Sequence, residues 1–155
     1  MKVRAITKNK GKPVIGLNPT DTLDLAVTLM MDNRIGSLVV TDNDRLVGIL
    51  SERDLLRILH DKHAMWTPLT AADAMTLSPI VCHPDNTLEE VMNMMVDNNI
   101  RHLPVVYQDK LEGMLSITDI VEELLKKAKF ENKLLKNYIQ NWPDSEEGDV
   151  GEQHL

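Results

Sequence analysis

Two short stretches carry the same polar side chains at the same spacing: "GILSERDLL", residues 48–56, and "GMLSITDIV", residues 113–121. Each has a Gly, an apolar pair ending in Leu, a Ser and, three positions after it, an Asp. A Ser followed by an acidic residue at this spacing caps a helix N-terminus, where a carboxylate also suits the helix dipole. The same corner between a strand and a helix offers free N–H groups to a phosphate and a carboxylate to a ribose diol. One copy alone favours capping, whereas two copies that each follow an apolar strand favour a ligand site.

The two stretches belong to a longer internal repeat. Shifted by 65 positions, residues 19–59 align with residues 84–124 without a gap, and 16 of these 41 positions are identical. A gapless match of this length predicts two copies of one structural unit.

Each copy has the pattern strand, helix, strand, strand, helix. The apolar starts "PVIGL" and "PIVCH" are followed by a helix, for which we predict Asp21 or Asn86 as the N-cap and Asp24 or Glu89 in a capping box. The strands "SLVVT" and "HLPVVY" then return through tight turns as "LVGIL" and "LEGML". Because these strands are almost continuously apolar, helices are expected to cover the sheet.

The segments outside the two copies have distinct patterns. "LTAADAMT" predicts a short helix before the second copy, and a helical pattern continues after Leu124 to Trp142, where Pro143 ends it. The apolar residues of this extension need a cover, either from their own module or from a partner chain. The expected organisation is an N-terminal segment with repeat 1 (1–61), a linker with a short helix (62–75), repeat 2 (76–125), a C-terminal helix extension (126–142) and an acidic disordered tail (143–155).

Charge and hydropathy limit the possible partners. The formal net charge is -7, and the tail from Pro143 to Leu155 contributes five of the negative charges and no positive one. Since the rest of the chain is nearly balanced, no basic face for nucleic acid is expected. The sequence has no apolar run of signal-peptide or membrane-spanning length, which predicts a cytoplasmic protein without membrane contact.

Other reactive side chains form no convincing catalytic set. His60 and His63 have a spacing that suits a metal, but a third ligand is missing nearby, so a solvated helix end is the preferred interpretation. Cys82 is the single cysteine and is expected in an apolar strand, which excludes an intrachain disulfide. No P-loop and no G-x-G-x-x-G motif is present. The sequence therefore predicts neither an enzyme nor a metal site.

Taken together, the gapless pair, the two "G-h-L-S-x-x-D" motifs and "NNIRHLPVV" resemble the cystathionine-β-synthase (CBS) domain pair, or Bateman module, over residues 13 to about 125. With "SERD" in the first copy and a long C-terminal helix, the chain looks like the small stand-alone members. The resemblance implies an α/β (α+β) fold in which two pseudo-two-fold-related β-α-β-β-α repeats form one module.

The resemblance also implies two clefts that bind adenine nucleotides. The family's ribose-binding Asp and its neighbouring phosphate-binding hydroxyl and motif residues fall on Asp54, Ser51 and Arg53, and on Asp119, Ser116 and Thr118. Its phosphate-binding basic pair falls on Arg101 and His102. The segments that contact adenine through their backbone fall on Thr76, Ser78, Ile80 and Val81, and on Lys12 and Ile15.

The first copy departs from the family pattern before its buried strand. Gly36 and Ser37 stand where the family has Arg and His, and Val39 stands in place of Pro. Unequal occupancy of the two clefts is therefore expected. Arg101 and His102 could serve the Asp54 site, because each cleft takes residues from both repeats. Lysines at positions 8, 10 and 12 could supply charge elsewhere or form a solvated loop.

The function expected from this resemblance is a sensor that binds an adenine nucleotide and signals to an unidentified partner protein by changing conformation. AMP is the first expected ligand, with NAD(H), ADP and ATP as alternatives. The alternative function is a structural interaction module with empty or vestigial clefts. A homodimer is also expected, through the helices that carry Met30, Met31, Met92, Met94 and Met95 or through the C-terminal helix.

Overall fold

The computed structural model describes residues 1–10, 13–62 and 65–141, and the side chains of residues 8–10 and 62 are not described. The predicted disordered tail, Trp142 and His63 lie outside these residues. The helices are α1 (Val3–Lys10), α2 (Leu23–Asn33), α3 (Glu52–Lys62), α4 (Ala71–Ala74), α5 (Leu88–Asn98) and α6 (Ile117–Gln140).

The described strands form one mixed sheet with the order β1-β2-β3-β6-β5, and β4 adds to β3. The predicted opening strands are shorter than their apolar runs, because "PVIGL" contributes two residues and "PIVCH" contributes a single bridge at Cys82. The strands are β1 (Gly16–Leu17), β2 (Ser37–Asp42), β3 (Arg45–Ser51), β4 (Thr76–Leu77), β5 (His102–Tyr107) and β6 (Lys110–Ser116).

The 65-residue repeat is reproduced in the register of the sheet. Ser37 pairs with Ser51 in the first copy, and His102 pairs with Ser116 in the second. All the other pairs of the β2–β3 ladder recur in β5–β6 at the same shift, including the irregularity in the middle of each ladder. Both hairpin turns have two residues with positive φ, as type I′ turns require. The predicted pair of equivalent units is thus confirmed at the level of individual residues.

The helix caps lie one residue later than the sequence predicted. Thr22 and Thr87 are the N-caps of α2 and α5, and their side chains accept from the backbone N–H groups three residues on. The prediction of Asp21 and Asn86 as caps was wrong. These side chains instead accept from the backbone N–H groups of Asn18 and His83, and so hold the turns that precede the helices.

Each repeat is completed by the short helix that precedes the other repeat. The N–H groups of Val3 and Arg4 at the start of α1 donate to carbonyls of Asn86 and Pro84, which belong to repeat 2. The first residues of α4 donate in the same way to repeat 1, at Asp21 and Pro19. Residues 84 and 86 are the 65-residue equivalents of 19 and 21, so α1 and α4 hold equivalent places. This exchange joins the two repeats into one unit.

Side-chain contacts strengthen this exchange. The Arg4 side chain donates two hydrogen bonds to Asp85 and lowers the pKa of that carboxyl below its usual value. At the equivalent glycines, a Cβ at Gly48 would lie 2.7 Å from Met75 Sδ, and one at Gly113 would lie 3.3 Å from a Thr7 methyl. The segments before the repeats therefore lie directly on the two return strands, and more tightly on β3.

The core lies between the sheet and the helices. Leu38, Leu50, Leu103 and Leu115 are fully buried on the strands, and the buried sides of α2 and α5 face inward at helical spacing. The chain divides into two units after Ile120, and in the described part of the second unit α6 continues to Gln140. Among the described residues, no helix has the length and apolar character to span a membrane.

Candidate functional site

The first Ser-x-x-Asp motif lies where β3 ends and α3 begins. The backbone N–H and the hydroxyl of Ser51 donate to Asp54 Oδ2 at 2.8 and 2.9 Å, and the Asp54 N–H lies 3.2 Å from Ser51 Oγ. The reciprocal bonds satisfy two backbone donors at the start of the helix. The capping arrangement predicted for this motif is therefore present.

Asp54 has more partners than capping requires. Its second oxygen, Oδ1, accepts from Arg57 Nη2 at 2.7 Å and from Thr76 Oγ1 at 3.1 Å. With 4 % of its surface exposed, Asp54 is the one buried charged side chain among the described residues. Both oxygens are thus occupied, and the Thr76 bond connects repeat 1 to the segment that leads into repeat 2.

The segment after Thr76 forms an exposed apolar shelf. Leu77, Ile80 and Val81 are 67 %, 39 % and 37 % exposed, and Ser78 adopts a positive φ of 48°. Exposed apolar side chains that cluster in one segment can mark a surface for a ligand or a partner. Residues 77–81 are called the shelf below.

The basic pair lies at the same end of the sheet as the shelf. Cys82 and Val105 form a parallel β-bridge. In a parallel bridge the residues that precede each partner lie on the same side of it, so the shelf and the residues at the start of β5 lie at the same end of the sheet. These residues are Arg101, which is exposed, and His102, which is half-buried. We call the set of Ser51, Asp54 and residues 76–81 the Asp54 cleft. The family resemblance also assigns Arg101 and His102 to this cleft, whereas their backbone contacts are with Ile117 and Ser116 of the second motif.

The second motif repeats the capping geometry in a different setting. The Ser116 N–H donates to Asp119 Oδ2 at 2.9 Å, and the Asp119 N–H donates to Ser116 Oγ at 3.1 Å. Asp119 is half-buried, and Glu122 stands at the position that corresponds to Arg57. Both corners are therefore capped, but their electrostatic surroundings differ.

The start of β2, near the first motif, differs from the start of β5. A Cβ on Gly36 would lie 3.2 Å from the carboxyl carbon of Glu52, so a negative charge lies over the position that corresponds to Arg101. Ser37 Oγ is buried, and no hydrogen-bond partner is found for it within the described part of the chain. The charge at these two equivalent strand starts is therefore opposite in sign.

The structure brings together some of the predicted residues and leaves others apart. Ser51, Asp54 and Thr76 are connected by hydrogen bonds, whereas Arg53 and Thr118 are exposed on the first turns of their helices. Ile15 packs against the core of repeat 1, and Lys12 lies outside the described residues.

Sequence reasoning missed Arg57. An acidic side chain followed three residues later by Arg on a predicted helix is a recognisable ion-pair spacing, and this signal could have identified it.

Other candidate sites remain weak in the structure. Cys82 is buried, and burial raises the pKa of its thiol to about 11, which removes its nucleophilic character near neutral pH. No group of three His, Cys, Asp or Glu side chains in the described ranges could hold a metal ion. A cavity of about 250 Å³ opens between β1, β2 and Leu111, and it contains none of the predicted site residues.

The comparisons with known proteins agree on one family. The family model for the CBS domain matches residues 3–61 and 71–126. A mitochondrial CBS domain-containing protein of Arabidopsis thaliana, CBSX3, is 33 % identical over 144 residues, which cover 87 % of this chain and 70 % of that protein. Two other curated relatives, each 34 % identical, are much longer, and the chain spans 39 % and 31 % of their lengths.

Solved structures give the same result. The CBS-domain containing protein ATU1752 from Agrobacterium tumefaciens has a TM-score of 0.72 and 30 % identity, over 79 % of this chain and 98 % of that one. CBSX2 in complex with AMP has a TM-score of 0.67 and 28 % identity, over 74 % of this chain and 90 % of that one. The CBS domain pair of MJ0100, in complex with 5′-methylthioadenosine and S-adenosyl-L-methionine, has a TM-score of 0.69 and 25 % identity, over 82 % and 98 %. With two matched segments, a duplicated ladder and neighbours that share the fold, this chain belongs to the CBS domain family.

Proposed function

We propose that this protein is a regulatory module that binds an adenine nucleotide in the Asp54 cleft. The observation that carries the proposal is the hydrogen bond from Thr76 to Asp54, which connects a buried carboxylate to an exposed apolar shelf. Neither feature is needed for the helix cap, which Ser51 and Asp54 complete by themselves.

Each part of the cleft suits one part of a nucleotide. A ribose diol has two hydroxyl donors, and Asp54 Oδ1 already accepts from two donors that ligand hydroxyls can replace. The shelf offers exposed apolar side chains and backbone groups to an adenine ring. Arg101 supplies positive charge, and both Arg101 and His102 can donate hydrogen bonds to a phosphate.

The second cleft, at Ser116 and Asp119, is proposed to bind phosphate less well. Its equivalent of Arg101 is Gly36, which the Glu52 carboxylate covers, and a carboxylate repels a phosphate. We therefore propose one strong nucleotide site in each chain.

The ligand class is supported by the relatives. CBSX2 was solved with AMP, and the MJ0100 pair with two adenosine-containing ligands. A monophosphate matches the single basic pair assigned to the Asp54 cleft, so AMP is the preferred ligand, ahead of ADP, ATP and NAD(H).

Binding would act on the contact between repeats. A ribose that takes over Asp54 Oδ1 must displace Thr76 or Arg57, and so changes how the linker segment is held against repeat 1. A ligand shifts a conformational equilibrium only through such differential contacts. We propose that a cytoplasmic partner protein responds to this change and that the module acts as a homodimer without catalytic activity.

The alternative function is an interaction module whose clefts stay empty. The bonding of both Asp54 oxygens by side chains and backbone of the same chain favours this alternative. Calorimetry distinguishes the two, because an empty module gives no heat with AMP, ADP, ATP or NAD(H).

The test of the proposed site is Arg101→Ala. AMP affinity should fall about tenfold or more, since a charge-assisted bond to phosphate is lost, while adenosine affinity should change less than about twofold. Arg45→Ala is the matched control, because Arg45 is also exposed but begins β3 at the end opposite to Ser51. Equal weakening of AMP and adenosine by Arg101→Ala would show that Arg101 acts by packing.

A further inference from the structure

The C-terminal part of α6 carries a regular apolar seam. From Val121 the seam positions follow alternate spacings of four and three residues, as in a heptad repeat whose a and d positions face a partner helix. The a positions are Leu125, Asn132 and Ile139, and the d positions are Val121, Ala128 and Leu135. In the sequence the next d position is Trp142, so the pattern extends over three heptads, the length at which it indicates a coiled coil.

The seam is open to solvent along its described length. Val121, Leu125, Leu135 and Ile139 are 46 %, 53 %, 60 % and 71 % exposed. Ala128 and Asn132 are also exposed. Large apolar side chains repeated along one stripe of a helix are expected to be covered in solution.

The single polar seam position indicates what covers the stripe. An Asn at an a position lowers the stability of a coiled coil but fixes its register and restricts it to two strands, because the two Asn side chains bond to each other. Asn132 lies at the central a position, with apolar residues at the a positions before and after it.

The flanking charges also match a parallel copy. In a parallel pair, each g position lies near the e position five residues later on the partner helix. Glu131 is at g and Lys136 is at e, so two copies would form this opposite-charge pair twice.

We propose that residues 121–141 pair in parallel with the same segment of a second copy, as a short two-stranded coiled coil with Asn132 in its core. This assigns a surface to the homodimer proposed above and does not depend on nucleotide binding. Since the repeats could also associate by themselves, the test must report on the helix directly.

Disulfide cross-linking of the full chain gives that report. With Cys at position 139, two parallel helices place the thiols opposite each other, so Ile139→Cys should form disulfide dimers rapidly under mild oxidation. Asn137→Cys is the control, because position 137 is exposed at an f position on the far side of the helix. Cross-linking at 139 should be at least about tenfold faster than at 137. The native Cys82 is buried and stays out of the reaction.

Two other results would overturn the proposal. Equal cross-linking at 139 and 137, or none at either, would show that the seam does not face a second copy. Cross-linking only between Val121→Cys and Ile139→Cys chains would show antiparallel pairing.

Two adjacent leucines supply a matched pair of variants in the Ile139→Cys background. Leu135 lies in the seam and Leu134 lies at position c, and both are exposed in the single chain, at 60 % and 51 %. Leu135→Glu should slow cross-linking at least about tenfold, whereas Leu134→Glu should change it less than about twofold. If both variants slow it equally, a general loss of helix or a different face is responsible, and the assigned seam is wrong.

Discussion

Replacing Asp54 by Asn should destabilise the protein, because this carboxylate has four hydrogen-bond donors around it. An amide has one acceptor oxygen, so it can keep the two Ser51 donors or the Arg57 and Thr76 donors, but not both sets.

The magnitude follows from three contributions. Arg57 is 54 % exposed, so loss of its ion pair costs at most about 1 kcal/mol after solvent screening. Loss of the bond from Thr76 to a charged acceptor costs about 1 kcal/mol, and loss of negative charge at the start of α3 costs about 0.5 kcal/mol. The expected decrease in the free energy of unfolding is about 2 kcal/mol, which corresponds to a decrease in Tm of about 4–8 °C for a chain of this size.

Urea denaturation followed by circular dichroism measures this decrease, with Asp119→Asn as the matched control. Asp119 is half-buried, and position 122 holds a Glu where an Arg57 equivalent would stand, so Asp119→Asn removes no arginine ion pair of this kind and should cost less than Asp54→Asn. Equal losses in the two variants, or a loss below about 0.5 kcal/mol for Asp54→Asn, would refute the assigned role of the Arg57 and Thr76 contacts.

Three further predictions concern the segments that join the repeats. Gly48→Ala should lower the free energy of unfolding by about 1–3 kcal/mol, because the linker lies against this glycine, and Gly113→Ala should cost clearly less in the same denaturation assay. Cys82 should react with a thiol reagent only slowly at pH 7.5 and rapidly in denaturant, because burial raises its pKa to about 11; fast native alkylation would contradict its placement. Since the Arg4 bond lowers the pKa of Asp85, the contact stabilises α1 at neutral pH and is lost as the pH falls below the usual aspartate value near 4. Hydrogen-exchange protection of α1 should therefore fall in acid, and Asp85→Asn should show the lower protection at every pH.

The sequence determined the repeated units of this protein. Alternation and helical spacing are local properties, so two stretches with the same pattern form the same strands and helices wherever the chain places them. This is why a shift of 65 residues relates the β2–β3 ladder to the β5–β6 ladder residue by residue. It is also why both Ser-x-x-Asp motifs could be placed at strand–helix corners before the fold was known.

Local sequence patterns could not decide which of two neighbouring residues is the N-cap of a helix. Asp21 and Thr22 are both good N-caps, and the choice between them depends on the turn that the Asp side chain forms with Asn18. The same holds for Asn86 and Thr87 in the second copy.

Only the tertiary structure decided how the two repeats are combined. Nothing in the sequence pattern of residues 3–10 indicates that this helix lies on repeat 2, or that α4 takes the equivalent place on repeat 1. The bond between Asp54 and Thr76 spans 22 residues and depends on that arrangement, and so does the position of the shelf beside the start of β5. Contacts between distant segments depend on how already formed units fit together, and no periodicity within a single segment carries that information.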